Sequence, residues 1–256
     1  MEGIIVYDSG IGGIPVLCQL QKNFPQERFI YFSDPLHMPY GAKTEDELRQ
    51  IAAENFAYFQ TSTPKAVVIA CNTMSGIVSK EKFINVNYPI FGIEQPLEKA
   101  LEDSEKKVLF LSTQRTAERI SLFVRQHSKQ NCKIYYSNTL ASEVETAFQT
   151  LSDIRVAEIF SPFSMEKYNV LFLGCTHYVW LKQILQHLYP HLKIEDGVEE
   201  LIFQIKQSSL FNLRQAEKKA NFPPKISLNA GVHFIGEGSF KNQNAYLFFI
   251  KHLFNY

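Results

Sequence analysis

The chain has 256 residues, 45% of them apolar, enough to bury a core as one large domain or two smaller ones. Lys plus Arg and Asp plus Glu each number 26 with no long run of one sign, which argues against a nucleic-acid or anionic-membrane surface and for a small-molecule partner. No apolar run approaches the roughly 18 to 20 residues needed to cross a bilayer, and Met1-Glu2 leads directly into Gly3-Ile4-Ile5-Val6-Tyr7-Asp8 without a signal-like segment, so a cytoplasmic chain is expected.

Strand-like apolar segments recur near residues 4–8, 28–34, 66–70, 88–93, 107–112, 132–137, 169–174 and 225–230, with amphipathic stretches between them. Such alternation predicts an α/β fold built on parallel sheet. Pro15 and Pro96 suit the first turns of two helices. Thr44-Glu45-Asp46-Glu47 matches a capping box and predicts a helix running to about Gln60. The polar stretch from Gln207 to Lys225, with Pro223-Pro224, reads as chain passing between lobes, and Asn242 to Leu253 reads as a packing helix.

The first motif in chain order is Asp8-Ser9-Gly10-Ile11-Gly12-Gly13, between a strand and a helix, where backbone N–H groups are placed to bind an anion. It fails as a nucleotide signature, because the third glycine of G-x-G-x-x-G falls on Pro15 and no Gly-Lys-Ser/Thr follows. Asp8 has two readings: a carboxylate that receives a substrate ammonium or adjusts a thiol, or a helix cap. Pro39-Tyr40-Gly41 by itself is a turn.

Four cysteines, Cys18, Cys71, Cys132 and Cys175, are too few and too scattered for a secreted disulfide framework. No C-x-x-C occurs, and among the seven histidines only His177 stands close to a cysteine, so no metal site is expected. Cys71 and Cys175 are special in context. Each ends an apolar strand-like run and opens a polar turn, as Ala70-Cys71-Asn72-Thr73 and Gly174-Cys175-Thr176-His177. That places both at the carboxyl edge of a sheet, where open α/β folds bind ligands, and suggests two similar half-structures. One such cysteine alone is more often a small core residue; two in matched polar contexts reverse the balance, whereas Cys18 and Cys132 are assigned to the core.

Two thiols facing one carbon acid from opposite sides can remove a proton on one face and return one on the other, which inverts a stereocentre. A thiol with a reference pKa of about 8.5 can be lowered at a helix N-terminus, and both cysteines precede expected helices. Asn72, Thr73, Thr176 and nearby N–H groups are placed to stabilise a carbanion-like transition state. His177 is a candidate acid or base beside Cys175, or a histidine satisfied at a helix start.

Taken together, Asp-Ser-Gly-Ile-Gly-Gly at 8–13, Pro-Tyr-Gly at 39–41, Ala-Cys-Asn-Thr at 70–73 and Gly-Cys-Thr-His-Tyr at 174–178 resemble the glutamate racemase family, within the cofactor-independent aspartate/glutamate racemase superfamily. The resemblance is weak beyond about Glu200. It implies two similar α/β lobes, each a mostly parallel sheet flanked by helices, with the active site in the cleft between them and no pyridoxal phosphate. The lobes are expected as 1–95 plus 209–256 and 96–208.

By that resemblance Cys71 is the base on the D-enantiomer and Cys175 on the L-enantiomer, assisted by Asp8 and His177. Substrate contacts would come from Ser9, Tyr40, Gly41, Asn72, Thr73, Thr116 and Thr176, and a glutamate supporting His177 falls at Glu143 or Glu145, with Glu145 preferred. The implied partner is glutamate, the implied role is supply of D-glutamate for peptidoglycan, and a homodimer is compatible with the resemblance. Departures are His37 where the family usually has arginine, Glu94 displaced by one position, Val179 for proline, and Asn229-Ala230-Gly231 for a late Thr-Gly-Asp. Other readings are an aspartate or other amino-acid racemase of the superfamily, a one-thiol decarboxylase or isomerase, and a noncatalytic regulatory protein retaining the fold.

Overall fold

The computed structural model describes residues 3–79, 84–93, 101, 104–127, 131–150, 156–208 and 232–235. The first part of the chain runs β1 (Ile4–Asp8), α1 (Ile14–Asn23), β2 (Phe29–Ser33), a 3-10 turn (Tyr40–Ala42), α2 (Glu45–Gln60), β3 (Ala66–Ile69), α3 (Asn72–Val78) and β4 (Ile90–Gly92). The second runs β5 (Val108–Ser112), α4 (Gln114–Gln126), β6 (Cys132–Tyr136), α5 (Leu140–Thr150), α6 (Val156–Phe160), a 3-10 turn (Met165–Lys167), β7 (Val170–Gly174), α7 (Thr176–Val179), α8 (Lys182–Leu188), β8 (Lys193–Glu195) and α9 (Val198–Gln207). A last described strand, β9 (Val232–Ile235), returns to the first lobe.

Among the described residues two sheets form, a five-stranded one in the order β4-β3-β1-β2-β9 and a four-stranded one in the order β6-β5-β7-β8. Every ladder is parallel. The carboxyl ends of their strands therefore lie at one edge of each sheet. In the first sheet that edge carries Asp8 opposite Ser33; in the second it carries Ser112 opposite Gly174.

Helix boundaries follow local chemistry. Pro15 lies in the first turn of α1, where its missing N–H costs nothing. Thr44 begins α2 with a complete capping box: its hydroxyl accepts from the Glu47 N–H at 3.3 Å, and Glu47 Oε2 accepts from the Thr44 N–H at 2.7 Å.

Strand residues alternate between faces, and the alternation sorts the core. Ile4, Val6, Ala66 and Val68 join α1, α9 and the inner face of the second sheet, including Leu109, Leu111, Leu171 and Leu173, in one continuous cluster. Ile5, Tyr7, Val67 and Ile69 face outward under α2 and α3. Val108, Phe110, Val170 and Phe172 pack under α4. The lobes thus share an apolar interior rather than meeting only at a polar seam.

Seven of the expected strands coincide with β1 to β7. β8 was not anticipated, because Lys193-Ile194-Glu195 carries a single buried apolar residue and is short. The expected strand at 225–230, the helix at Pro96, nearly all of 207–225 and the helix at 242–253 lie outside the described residues. Cys18 is buried in the shared core, but Cys132 is only half-buried at the edge of the second-lobe cluster.

Candidate active site

Both thiols sit at the first break after a strand. Cys71 precedes α3 and Cys175 precedes α7, each with extended backbone. The Ala70 N–H donates to the Tyr7 carbonyl at 2.8 Å, which draws the Cys71 turn against the end of β1. The two cysteines, 6% and 7% exposed, line one cavity between the lobes together with Ser9, Asn72, Thr73 and Thr176. Its free volume is about 20 Å³, room for about one water. A larger cavity of about 560 Å³ lies between α1 and α7 to α9 but contains neither thiol, so the chemistry singles out the smaller one.

Behind Cys175 stands an ordered chain. His177 Nδ1 lies 3.9 Å from Cys175 Sγ, and its Nε2 is 2.8 Å from Glu145 Oε2. The same carboxylate oxygen accepts the Ile11 N–H from the first lobe at 2.9 Å. Glu145 and His177 are each 3% exposed. Burial pulls the imidazolium down, but Cys175 and Glu145 outweigh it and lift the His177 pKa well above its ordinary value. Between Glu143 and Glu145 the helix phase decides. Residues two positions apart on an α-helix point to nearly opposite sides, and Glu143 is exposed while Glu145 faces the cleft.

Asp8 is fully buried. Its Oδ1 accepts the Gly10 N–H and its Oδ2 accepts the Thr176 hydroxyl, both at 3.0 Å. It does not cap α1, whose N-cap is Gly13 without a side-chain bond. Burial raises the Asp8 pKa against the opposing pull of His177, Gly10 and Thr176. The expected anion at the glycine-rich turn is thus met internally: the Gly10 and Ile11 N–H groups go to Asp8 and Glu145.

For Cys71 the expected lowering by a helix N-terminus is overturned. The N–H groups of Thr73 and Met74 do favour its thiolate, but burial, followed by the charge on Asp8, pushes the thiol up. Its Sγ lies 4.0 Å from the Ser9 hydroxyl.

Glycine at 12 and 41 is required by close approach of the lobes. A Cβ on Gly12 would stand 2.5 Å from His177 Nδ1, and one on Gly41 would stand 2.5 Å from Thr113 Cβ. Across the same seam Thr73 Oγ1 and Thr113 Oγ1 are 3.1 Å apart, and Thr113 donates to Thr116 at 3.3 Å. Arg115 also spans it, with Nη2 donating to the Lys43 carbonyl at 2.9 Å.

Among the residues singled out from sequence, Cys71, Cys175, Ser9, Tyr40, Gly41, Asn72, Thr73, Thr176 and His177 line the cavity. Asp8, Glu145 and Thr116 stand behind it, in hydrogen-bond contact with Thr176, His177 and Thr113 respectively. Thr113 and Ala141 line the cavity and were not singled out. Thr113 stands three residues before Thr116, which was singled out; Ala141, on the first turn of α5, had no signal.

Two parallel α/β lobes closing on a cavity that holds one thiol from each define a two-lobed enzyme with its reactive groups at strand ends. The model of the Asp/Glu/Hydantoin racemase family matches residues 17–204, and the chain belongs to that family of isomerases. A glutamate racemase of Halothermothrix orenii is 32% identical over 218 residues, spanning 78% of this chain and 82% of its own. Among solved structures, glutamate racemase from Campylobacter jejuni superposes with a TM-score of 0.73 at 21% identity, covering 99% of both chains. The Francisella tularensis glutamate racemase solved in complex with D-glutamate gives 0.71 at 24%, covering 96% of this chain and 93% of its own. These structural likenesses carry the fold.

Proposed function

We propose that this protein is a cofactor-independent glutamate racemase that interconverts L- and D-glutamate with two cysteines, supplying D-glutamate for peptidoglycan in the bacterial cytoplasm. The observation that supports it most is that Cys71 and Cys175, from the ends of two different sheets, line one cavity. In the D-to-L direction a Cys71 thiolate takes the α-proton and becomes a thiol, while the Cys175 thiol gives its proton to the opposite face and becomes a thiolate. The reverse direction exchanges the roles.

Ser9, Asn72, Thr73 and Thr176 supply donors that orient the substrate and meet charge developing on its carboxylate. The His177 imidazole, held by Glu145, stands beside Cys175 as its acid/base partner. Asp8 fixes Thr176 from behind and favours the neutral thiol at Cys71. A cavity with room for about one water admits glutamate only when the lobes part along the Tyr40-Gly41 and Thr113 seam. The lobes are taken as 1–95 plus 209–256 and 96–208.

Incubation with L- and then D-glutamate in deuterated water, without added cofactor, tests this reading by optical rotation and α-deuterium incorporation. Racemisation with deuterium entering from both enantiomers is expected. No exchange from either one sinks the glutamate assignment; exchange of aspartate instead would move the protein to another racemase of the superfamily.

A further inference from the structure

Tyr40 lines the cavity beside Cys71, yet its hydroxyl points away from it, into the first lobe. There it donates to Asp34 Oδ2 at 2.6 Å and lies 2.8 Å from the Tyr7 hydroxyl. Tyr7 in turn accepts from Asn55 Nδ2 at 2.8 Å, and Asn55 Nδ2 is 3.4 Å from Asp34 Oδ2. Asp34, 7% exposed, also accepts from His37 Nδ1, which is 2.8 Å from each of its oxygens.

The direction of this chain is fixed by its end. Tyr40 donates to Asp34 and a phenol has one proton, so the Tyr7 proton points to Tyr40 and the Asn55 amide to Tyr7. Burial, then Tyr7 and Asp34, hold the Tyr40 phenol far above its ordinary pKa, which keeps it a donor. A chain with one consistent direction leaves each rotor a single satisfied orientation. On the other side of the same turn, Gly41 is packed against Thr113 of the second lobe. The Pro39-Tyr40-Gly41 wall is therefore gripped from behind by Asp34 and pressed in front by the opposite lobe.

We propose that Asp34 is a positioning residue for the reaction: by holding the Tyr40 hydroxyl and the His37 ring it keeps the Pro39-Tyr40-Gly41 wall closed over Cys71. The kinetic part of this proposal rests on the racemase reading; the accessibility part does not.

The test measures iodoacetamide alkylation of each cysteine by peptide mass spectrometry in wild type, Asp34→Asn, Tyr40→Phe, His37→Leu and His37→Arg. Loss of a hydrogen bond to a carboxylate predicts Cys71 alkylation about five- to tenfold faster in Asp34→Asn and Tyr40→Phe. His37→Leu should move the same way by less, and His37→Arg, which keeps a donor to Asp34, should match wild type. Cys18, 1% exposed in the shared core, reports general loosening and should not change. In the kinetic arm, Asp34→Asn should raise KM several-fold with kcat nearly constant.

Cys71 reactivity within twofold of wild type in Asp34→Asn would overturn the proposal. So would parallel acceleration of Cys18, which would reduce the network to fold stability, or a kcat loss with unchanged KM. A wild type that exchanges no α-hydrogen of glutamate defeats the proposed function instead, and the alkylation pattern still decides on Asp34.

Discussion

The two cysteine turns are alike in backbone and unlike in chemistry. Each follows a buried parallel strand and opens a helix, α3 or α7, with no side-chain cap. Around Cys175 the second lobe places an imidazole held by a buried carboxylate. Among the described residues around Cys71, burial, the charge on Asp8 and Cys175 oppose its thiolate, and the N–H groups of Met74 and Thr73 favour it. Matched local structure thus presents one thiol with a cationic partner and the other with a charge that opposes ionisation. A symmetric reaction does not require symmetric surroundings, only that each face of the substrate meets an acid/base group.

The strongest test of that contrast is removal of each thiol. Cys71→Ser and Cys175→Ser should each lower racemisation by about a thousandfold. Under the proposed division, α-deuterium exchange survives from L-glutamate in Cys71→Ser and from D-glutamate in Cys175→Ser. If both variants lose exchange from both enantiomers, the two halves do not work independently.

Next in size is Glu145→Gln, which removes the counter-charge of His177. Turnover from L-glutamate should fall by about 10- to 100-fold, with a smaller fall from D-glutamate. The pH limb belonging to His177 should move to lower pH, because its cation loses a partner. Equal losses in both directions would erase the distinction between the turns.

A smaller effect, common to both halves, appears in the pH dependence of stability. The His177 pKa is raised in the folded state, so its contribution to stability is full below about 6.5 and is lost as pH climbs through the folded value. Asp8 and Cys71 are also raised, so folding favours their neutral forms and stability again falls as pH rises, beginning above 3.8 and 9.0 respectively. The urea midpoint of the wild type should therefore decline between pH 7 and pH 10, and Asp8→Asn should be more stable than wild type at pH 7 despite losing activity. A midpoint that climbs over this range contradicts the raised values.

The smallest expected change is a control outside both turns. Thr44→Ala breaks the capping box of α2 and should cost about 1 kcal/mol in chemical denaturation, with the ratio of rates from the two enantiomers unchanged. A shifted ratio would show that α2 couples to one thiol more than to the other.

Much of this was legible along the chain. Val, Ile, Leu and Phe runs such as Val170–Gly174 mark strands buried on both faces, and Thr44 with Glu47 marks a helix start, because both signals are local. The cysteine turns were legible for the same reason. β8 was not, since its pairing with β7 rather than its own composition makes it a strand. Nor was the Asp34, His37, Tyr7 and Asn55 network behind Tyr40, which joins three separate stretches of chain.

The amino-acid sequence by itself determined the alternation of strands and helices, the parallel sheets, and the placing of two thiols at strand ends, since these follow from periodicity and short-range chemistry. The choice of Glu145 over Glu143, the delivery of Gly10 and Ile11 N–H groups to internal carboxylates, and the unequal settings of Cys71 and Cys175 were decided only by the tertiary structure. Each depends on which lobe faces which across the cleft, and a pKa is set by burial and by charges brought near through folding.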